Sequence, residues 1–275
     1  MSFSALEDLL AIEPQEPGRS FTGRCMIGSR NRAFGGQVAA QAFHAAALLT
    51  EPGRAPHSLH GSFLHSGDPD IDITYIVTTL KDGRSLTTHR VDAVQPGYMI
   101  YTAVVSFHVA EPSIDLQSAM PDAPPPSEFP QVNYVPRGTN AAAREPFDFR
   151  FVDAAYTQDQ IPVSPKQLIW IRTAAAMSGD PYAHAAALVY AADLSLARTA
   201  HLPLRGMSPR RYGSSLDFAI WFHRALRLDD WLLADIESTT YADSRALATG
   251  QFFSVDGRLV ATASQEVLMR VGSDY

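Results

Sequence analysis

The chain has 275 residues, 46% of them hydrophobic, so its length allows either one large domain or two of ordinary size. Its formal net charge is −7 and its lysines and arginines are scattered, which excludes the basic stripe typical of nucleic-acid-binding proteins. The single cysteine, Cys25, excludes an intramolecular disulfide and a cysteine-rich metal cluster, and it favours a reducing compartment.

The N-terminal segment carries the acidic residues Glu7 and Asp8 where a secretory signal has a basic region followed by an uninterrupted apolar stretch. Apolar runs elsewhere are short, and the run that ends at Leu49 is closed by a polar segment containing Pro52. No run approaches the ~20 residues that span a bilayer. We therefore expect a soluble, cytoplasmic protein without a membrane-inserted segment.

The first long helix is predicted from about Gly36 to Leu49, because apolar residues recur there at helical spacing from Val38 onward. Several strands rich in β-branched and aromatic residues follow it. A proline-rich segment then begins near Glu111, and proline is excluded from helix interiors and central strands. This segment is therefore interpreted as a linker.

The second long helix is predicted from Pro181 to about Arg198, because Asp180 suits the N-cap and proline suits the first helical position. Strands of the same character follow this helix as well. The pattern of Met99–Phe107 matches that of Leu259–Val267, and each segment follows a glycine turn. The order of one helix and then several strands thus occurs twice, which indicates a duplicated unit.

The duplication predicts an α+β fold in which each antiparallel sheet wraps its own central helix and the two units lie side by side. We place the N-terminal unit at residues 1–112, the linker at 113–147 and the C-terminal unit at 148–275. Polar side chains on apolar faces are the candidates for chemistry, since burying a polar group without partners is costly.

Asp193 is one such residue in the second predicted helix. It shares a helix face with Ala186, Val189 and Leu196, which are spaced by three or four residues. A carboxylate on that face needs hydrogen-bond partners or a function. The alternative is that the apolar stripe is rotated and Asp193 faces solvent.

Two further polar residues lie on or near predicted strands. Gln265 interrupts the apolar face of the last strand, and its counterpart in the first unit is Val105, so the site is expected in the second unit. Ser215 begins a strand that is predicted to run to His223. The alternatives are that Gln265 satisfies a stray backbone carbonyl and that Ser215 makes a local backbone hydrogen bond.

Several motifs in both halves resemble the type II acyl-CoA thioesterase family, whose members are tandem double hot dog proteins. The motifs of the N-terminal half are Phe34-Gly35-Gly36-Gln37-Val38, His57-Ser58-Leu59-His60, Phe63-Leu64, Gly67-Asp68 and Asp82-Gly83-Arg84-Ser85. Those of the C-terminal half are Trp221-Phe222-His223-Arg224, Asp230-Trp231-Leu232-Leu233 and Gln265-Glu266. Together they cover nearly the whole chain outside the linker.

The resemblance implies that Asp193, Ser215 and Gln265 are catalytic and hold a water that hydrolyses an acyl-CoA to a fatty acid and CoA. Some family members carry Thr where this chain has Ser215, which keeps the hydroxyl group but removes a methyl group. The resemblance also implies a homodimer or homotetramer. Thioester hydrolysis needs no cofactor, and the histidines lack metal-ligand spacing.

Candidate substrate contacts are backbone N–H groups and basic side chains. Gly35 and Gly36 precede the first helix, whose start offers N–H groups to a developing oxyanion. The alternative is that they form a simple turn and N-cap. The arginines available for the CoA phosphates are Arg30, Arg32, Arg84 and Arg90, each of which is otherwise an ordinary surface residue.

Three other functions are weighed against hydrolysis by a held water. An enoyl-CoA hydratase of the same fold carries an Asp and a His at a helix start, and the segment 178–184 resembles that motif without its Asn or its spacing. A non-catalytic acyl-CoA-binding protein is disfavoured because Asp193, Ser215 and Gln265 are all present. A serine-nucleophile thioesterase is disfavoured further because no Gly-x-Ser-x-Gly elbow occurs.

Overall fold

The structure is a computed structural model that describes residues 6–25, 32–132, 146–152, 164–204 and 211–271. The α-helices of these ranges are α1 Leu6–Leu10, α2 Gly35–Leu48 and α3 Pro181–Ala200. Both long helices lie within two residues of their predicted bounds, and the Asp180 side chain caps α3 by accepting the Tyr182 N–H at 3.0 Å. No helix of the described ranges is long and apolar enough to cross a membrane.

The strands have the following bounds: β1 Ile12–Pro14, β2 Ser20–Gly23, β3 Arg54–Phe63, β4 Ile73–Asp82, β5 Leu86–Gln95, β6 Tyr98–Val109, β7 Phe147–Phe151, β8 Lys166–Thr173, β9 Arg211–Ser215, β10 Asp217–Phe222, β11 Leu232–Ala242, β12 Arg245–Ser254 and β13 Leu259–Val271. Every ladder between them is antiparallel. The long strands of β-branched and aromatic residues predicted after each helix are therefore present.

The order of strands is the same in the two halves of the sheet. Within the described residues the order is β1-β2-β4-β5-β6-β3-β10-β13-β12-β11-β8-β7, with β9 pairing to β13. From its centre outward, one half reads β3, β6, β5 and β4, and the other reads β10, β13, β12 and β11. In both halves the central strand comes first along the chain among these four strands. The fourth, third and second strands of the four then follow it outward.

The two half-sheets are joined, and the prediction of a separate sheet around each helix is wrong on this point. Strands β3 and β10 pair from Ser58 opposite Trp221 to Ser62 opposite Asp217. Each of these strands is the edge of its own half-sheet, where backbone N–H and C=O groups need partners, and pairing the two edges satisfies both. The junction brings residues of the two halves to one place.

Both long helices lie on one face of this sheet. They contact each other, and each packs on the long strands of its own half. Helix α3 is buried without interruption from His184 to Leu196. Its own alanine and leucine side chains lie on every face of the helix, so no face of this stretch is polar enough to favour solvent. The alternative in which Asp193 faces solvent is therefore wrong, since its side chain lies inside this buried stretch and is 2% exposed.

The segment between the halves lies against the outer face of the second half-sheet. Met120, Ala123 and Phe129 pack on a small apolar cluster centred on Trp170. The Trp170 indole N–H donates to the carbonyl oxygen of Pro124 at 2.9 Å. Part of the predicted linker is thus held to the sheet, and β7 begins at Phe147, its last predicted residue.

Candidate active site

Asp193, Ser215 and Gln265 meet in one hydrogen-bonded group. The Gln265 side-chain amide donates to the Oδ1 atom of Asp193 and, at 2.9 Å, to the Oγ atom of Ser215. These residues come from α3, β9 and β13, so three separate elements converge here. The structure therefore brings together the three polar residues that were singled out along the chain.

Gln265 lies on the buried face of β13, as its place in the alternating pattern predicts. Its side chain is fully buried, and its amide nitrogen is satisfied by Asp193 and Ser215. The alternative in which Gln265 only satisfies a stray backbone carbonyl does not account for these two bonds. Val105, its predicted counterpart in the first half, is also buried and offers no polar group.

Ser215 reaches the site because the chain is irregular at Leu216. The prediction of one strand from Ser215 to His223 is wrong, since β9 ends at Ser215 and β10 begins at Asp217. Leu216 donates its N–H to the Glu266 carbonyl oxygen and accepts the Phe63 N–H, both at 2.9 Å. In an unbroken strand Ser215 and Asp217 would share a face. The break leaves Asp217 exposed and turns Ser215 inward to Gln265.

The start of α2, in the first half, supports the carboxylate of the second half. The Gly36 N–H donates to Asp193. A Cβ atom at Gly36 would lie 3.0 Å from Asp193 Oδ2 and 2.7 Å from the Phe34 ring, so only glycine lets the helix start approach this closely. The alternative in which Gly35 and Gly36 form only a turn and N-cap does not account for this hydrogen bond from Gly36 to Asp193.

Burial raises the pKa of Asp193 to about 7, and the hydrogen bonds from Gln265 and the Gly36 N–H oppose that rise. A carboxyl group with this pKa is divided between its two protonation states near neutral pH. It is therefore suited to accept a proton from water and to return it within one catalytic cycle.

Next to this group lies a cavity of ≈ 340 Å³ whose walls come from both halves of the chain. Its apolar residues are Ala33, Phe34, Val38, Phe63, Leu64, Ile100, Ala197, Leu216 and Leu268. Its polar and charged residues include Arg32, His65, Ser66, Asp193, Ser214, Ser215 and Arg270. A concave site that combines apolar side chains with convergent polar groups is typical of small-molecule binding.

The predicted substrate contacts fall in different places. Gly35, the first residue of α2, lines the cavity, and so does Arg32. Arg84 is exposed in the turn between β4 and β5. Arg90 pairs with Asp92 at 3.1 Å and lines a separate groove on the outer face of the sheet. Arg30 lies outside the described residues.

Sequence reasoning missed Arg270 and most of the apolar wall. Arg270 follows the alternating pattern of β13 and looks like an ordinary exposed residue. Phe63 and Leu64 belong to one of the family-like motifs, but no local pattern indicates that they line the same cavity as Asp193. Only the pairing of β3 with β10 brings that part of the first half to this place.

The motif that resembles a hydratase is used structurally. The His184 Nδ1 atom accepts the Leu228 N–H at 3.1 Å, and its Nε2 atom lies 3.9 Å from Asp229. Asp180 is occupied as the cap of α3. These contacts tie the loop after β10 to the helix start, and neither residue lines the cavity beside Asp193. Among the described residues, no group of His, Cys, Asp or Glu side chains is arranged to hold a metal ion.

Family models match the chain over most of its length. The acyl-CoA thioesterase N-terminal domain matches residues 22–108, and the acyl-CoA thioesterase C-terminal domain matches residues 118–269. The chain belongs to the acyl-CoA thioesterase family. Both halves of this thioesterase are thus covered by models of the two domains of that family.

Individual relatives agree with this assignment. The enzyme is 33% identical to Acyl-coenzyme A thioesterase 8 of Homo sapiens, with 96% of this chain and 88% of that protein covered. It is 33% identical to Acyl-CoA thioesterase 2 of Haemophilus influenzae, with 87% of this chain and 88% of that protein covered. These relatives support a thioester hydrolase.

Solved structures agree as well. Acyl-CoA thioesterase II TesB2 from Mycobacterium marinum superposes with a TM-score of 0.84 at 35% identity, covering 98% of this chain and 100% of that chain. A protein with a hot dog fold from Alicyclobacillus acidocaldarius superposes with a TM-score of 0.78 at 21% identity, covering 97% and 98%. The second likeness shows the fold alone. The chain is a thioester hydrolase whose structural relatives have the hot dog fold.

Proposed function

We propose that this enzyme hydrolyses acyl-CoA to a fatty acid and CoA with one water molecule held by Asp193, Ser215 and Gln265. The observation that carries the proposal is the hydrogen-bonded group these residues form beside a cavity with an apolar wall. No other group in the described cavity lining combines a buried carboxylate with two polar partners.

We also infer that the halves are tandem hot dog units, with boundaries near residues 112 and 148. Two observations support this inference: the strand order is the same in both halves from the centre of the sheet outward, and both long helices lie on one face of the sheet. In such an arrangement each unit supplies one helix to a shared interior. A site between the helices then draws on both units without a second chain.

The proposed reaction begins with proton transfer from water to Asp193. The hydroxide so formed attacks the thioester carbonyl carbon, and the carbonyl oxygen becomes negative in the tetrahedral intermediate. The C–S bond then breaks, and the departing CoA thiolate takes the proton from Asp193. The carboxylate is thereby regenerated, and the products are the acid and the CoA thiol.

Ser215 and Gln265 are positioned to orient the water and the carboxylate. The Gln265 amide holds Asp193 on one side and Ser215 on the other, so the three groups have a fixed mutual geometry. The Ser215 hydroxyl accepts from Gln265, which leaves its own proton to donate. Ser215 therefore holds water or substrate in this proposal and is not acylated.

The start of α2 supplies the donor for the oxyanion. A helix leaves its first N–H groups without partners inside the helix, and its dipole favours negative charge there. Gly36 uses its N–H on Asp193, so Gly35, which lines the cavity, is the donor we assign to the thioester oxygen. The acyl chain lies along the apolar wall that includes Val38, Phe63 and Ile100.

Arg32 and Arg270 are the basic residues we assign to the CoA phosphates, because both line the cavity whereas Arg84 and Arg90 do not. Comparing an acyl-CoA with the same acyl group on pantetheine tests this assignment, since pantetheine lacks the nucleotide phosphates. Arg270→Ala is expected to lower kcat/KM about tenfold for the CoA thioester only. Arg90→Ala, which removes a charge on the outer face, is the control. Equal effects on both substrates would refute the assignment.

The function itself is tested by free-thiol release from short, medium and long acyl-CoAs. We expect a clear rate for the folded wild type and losses of about 10² to 10⁴ in kcat for Asp193→Asn. Gln265→Ala is expected to be impaired as well. Release by the wild type with full rates in both folded variants would leave a thioesterase with a different site.

Two further outcomes separate the rival functions. Formation of a hydroxyacyl product without thiol release would identify a hydratase, and binding without any product would identify a binding protein. The mass of the intact protein during turnover tests the role of Ser215. We expect that mass to stay unchanged, whereas gain of an acyl group would show a covalent intermediate.

A further inference from the structure

The loop between β3 and β4 is fixed by the buried amide of Gln95, the last residue of β5. The Gln95 Nε2 atom donates to the backbone carbonyl oxygens of Asp68 and Ile71, both at 2.7 Å. Its Oε1 atom accepts the Asp68 N–H at 2.8 Å. An amide side chain has two donors and an acceptor, so this one residue satisfies three backbone groups of the loop. Gln95 thus holds residues 68–71 in one conformation.

The same loop holds the two residues that lie just before α2. The Gly67 carbonyl oxygen accepts the Ala33 N–H at 2.9 Å, and the Ser66 Oγ atom accepts from the Arg32 guanidinium at 3.3 Å. A Cβ atom at Gly67 would lie 2.9 Å from the Ala33 Cβ atom, so the two segments are in close contact. Hydrogen bonds therefore lead from Gln95 to the loop and from the loop to Arg32.

Arg32 lies where the candidate active-site cavity meets a second groove. Arg32, Ser66 and Gly67 line both the cavity and this adjoining groove of ≈ 650 Å³. The groove is also lined by Asp68 and Asp70, and Arg32 is the one cation among the described residues that line it. A phosphate in this groove meets carboxylates of like charge, which disfavour its binding. The binding of a phosphate here therefore depends on where the Arg32 guanidinium is held.

We propose that Gln95 is a positioning residue for CoA recognition: it holds the β3–β4 loop so that Ser66 keeps the Arg32 guanidinium between the cavity and the groove, where it binds the phosphates of CoA. An arginine binds phosphate most strongly when the fork of its guanidinium has a fixed orientation. Gln95 lines neither the cavity nor the groove, so it acts through the loop and Arg32. The role rests on the proposed function, because it concerns the acyl-CoA substrate.

Gln95→Leu tests this role, because it removes all three hydrogen bonds to the loop. The two substrates are an acyl-CoA and the same acyl group on pantetheine, which lacks the nucleotide phosphates. We expect the variant to raise KM about tenfold for the acyl-CoA and to leave kcat within about threefold. The KM for the acyl-pantetheine is expected to stay within about twofold. Equal changes of KM for the two substrates, or an unchanged KM for the acyl-CoA, would overturn the proposal.

Gln41 provides a matched control in the same half. It is also a buried amide, and it donates to the backbone carbonyl oxygens of Leu9 and Arg24 at 2.9 and 3.1 Å. It lines neither the cavity nor the groove. Gln41→Leu and Gln95→Leu are both expected to lower Tm, but Gln41→Leu should leave both KM values within about twofold. A raised KM for the acyl-CoA alone in Gln41→Leu would overturn the proposal, since the effect would not depend on the loop.

Ser66→Ala tests the same chain of contacts without removing a buried group. Ser66 is exposed, and its backbone and the bonds from Gln95 to the loop remain in the variant. We expect KM for the acyl-CoA to rise about threefold, because the Arg32 guanidinium loses its partner, and KM for the acyl-pantetheine to stay unchanged. Wild-type KM values for both substrates would overturn the proposal.

A double-mutant cycle tests whether Gln95 acts through Arg32. We expect Gln95→Leu to raise KM for the acyl-CoA in the wild type and to have no further effect in Arg32→Ala, since the guanidinium it positions is then gone. Independent increases that multiply in the double variant would overturn the proposal even if both single variants were impaired. Failure of the proposed function is recognised separately, because the wild type would then release no thiol.

Discussion

The two halves of the molecule have the same architecture and use their buried polar side chains differently. In the first half, the Gln37 and Gln41 amides on α2 donate to backbone carbonyls of the N-terminal segment, at Leu9 and Arg24. Tyr75 donates to Gln41 and completes that network. In the second half, the helix carries Asp193, a carboxylate with a raised pKa next to a cavity.

Within the described residues, the candidate site thus takes its carboxylate from the second half alone. Neutral amides on α2 hold the N-terminal segment, whereas the carboxylate on α3 is the group to which we assign proton transfer. The first half still contributes, because the start of α2 holds Asp193 through Gly36 and its residues Phe63 and Leu64 form part of the cavity. Residues of both halves thus line one cavity beside Asp193.

The sharpest test of this contrast replaces the key helix residue in each half. Asp193→Asn is expected to lower kcat by about 10² to 10⁴, because the base is lost. Gln41→Leu is expected to leave kcat within about threefold and to lower the free energy of unfolding by about 1 to 3 kcal/mol, because it leaves the buried Tyr75 hydroxyl unpaired. Steady-state kinetics and denaturant unfolding of both variants measure the two effects.

Asp193→Asn also has an expected effect on stability. Because burial raises the pKa of Asp193 to about 7, the folded protein binds this proton more tightly than the unfolded chain does. The contribution of protonated Asp193 to the free energy of unfolding is fully present below about pH 4, near the ordinary pKa of an Asp. This contribution is lost as the pH rises through about 7, the pKa in the folded protein. In Asp193→Asn the free energy of unfolding is therefore expected not to fall over this pH range. The same pH dependence in the wild type and in the variant would show that the pKa of Asp193 is not raised.

The two helix starts give the next largest contrast. A Cβ atom at Gly36 would meet Asp193 and the Phe34 ring, whereas one at Gly179, just before the cap of α3, would have nothing within 4 Å. Gly36→Ala is expected to lower kcat by about tenfold to a hundredfold, since it displaces the carboxylate. Gly179→Ala is the control and should keep the wild-type rate. Equal kcat values for the two variants would show that the start of α2 does not contribute to catalysis.

The smallest expected effect concerns the hydroxyl at position 215. Ser215→Ala removes the group that accepts from Gln265 and is expected to lower kcat about tenfold. Ser215→Thr keeps the hydroxyl and is expected to stay within about threefold of the wild type. A threonine variant as impaired as the alanine variant would assign the loss to packing, and the role of the hydroxyl would fail. Thiol release at saturating substrate measures both.

Much of this structure follows from local patterns in the sequence. The cap at Asp180 and the alternation in β13 located helix and strand, because these signals depend on a few adjacent residues. Asp193 was found as a charge among apolar residues, and its burial follows from a helix that is enclosed on every side. Polar residues kept in a core are conspicuous when their neighbours are alanine and leucine.

Other features depended on pairing between distant segments. The break at Leu216 is set by backbone bonds to Phe63 and Glu266, which no local pattern indicates. The joining of β3 to β10 was missed because both edges were assigned to separate sheets. Arg270 was missed for the same reason, since only the folded chain places it on the cavity.

The proposal that Asp193 is the catalytic base, with a pKa set by burial, is best tested by the pH dependence of kcat/KM for thiol release. We expect the wild-type rate to rise through about pH 7 and then to level off, because the carboxylate form is the base. The Asp193→Asn variant is expected to show only a small rate without that rise. The same rise in the variant, or a flat wild-type profile across this range, would show that Asp193 is not the base.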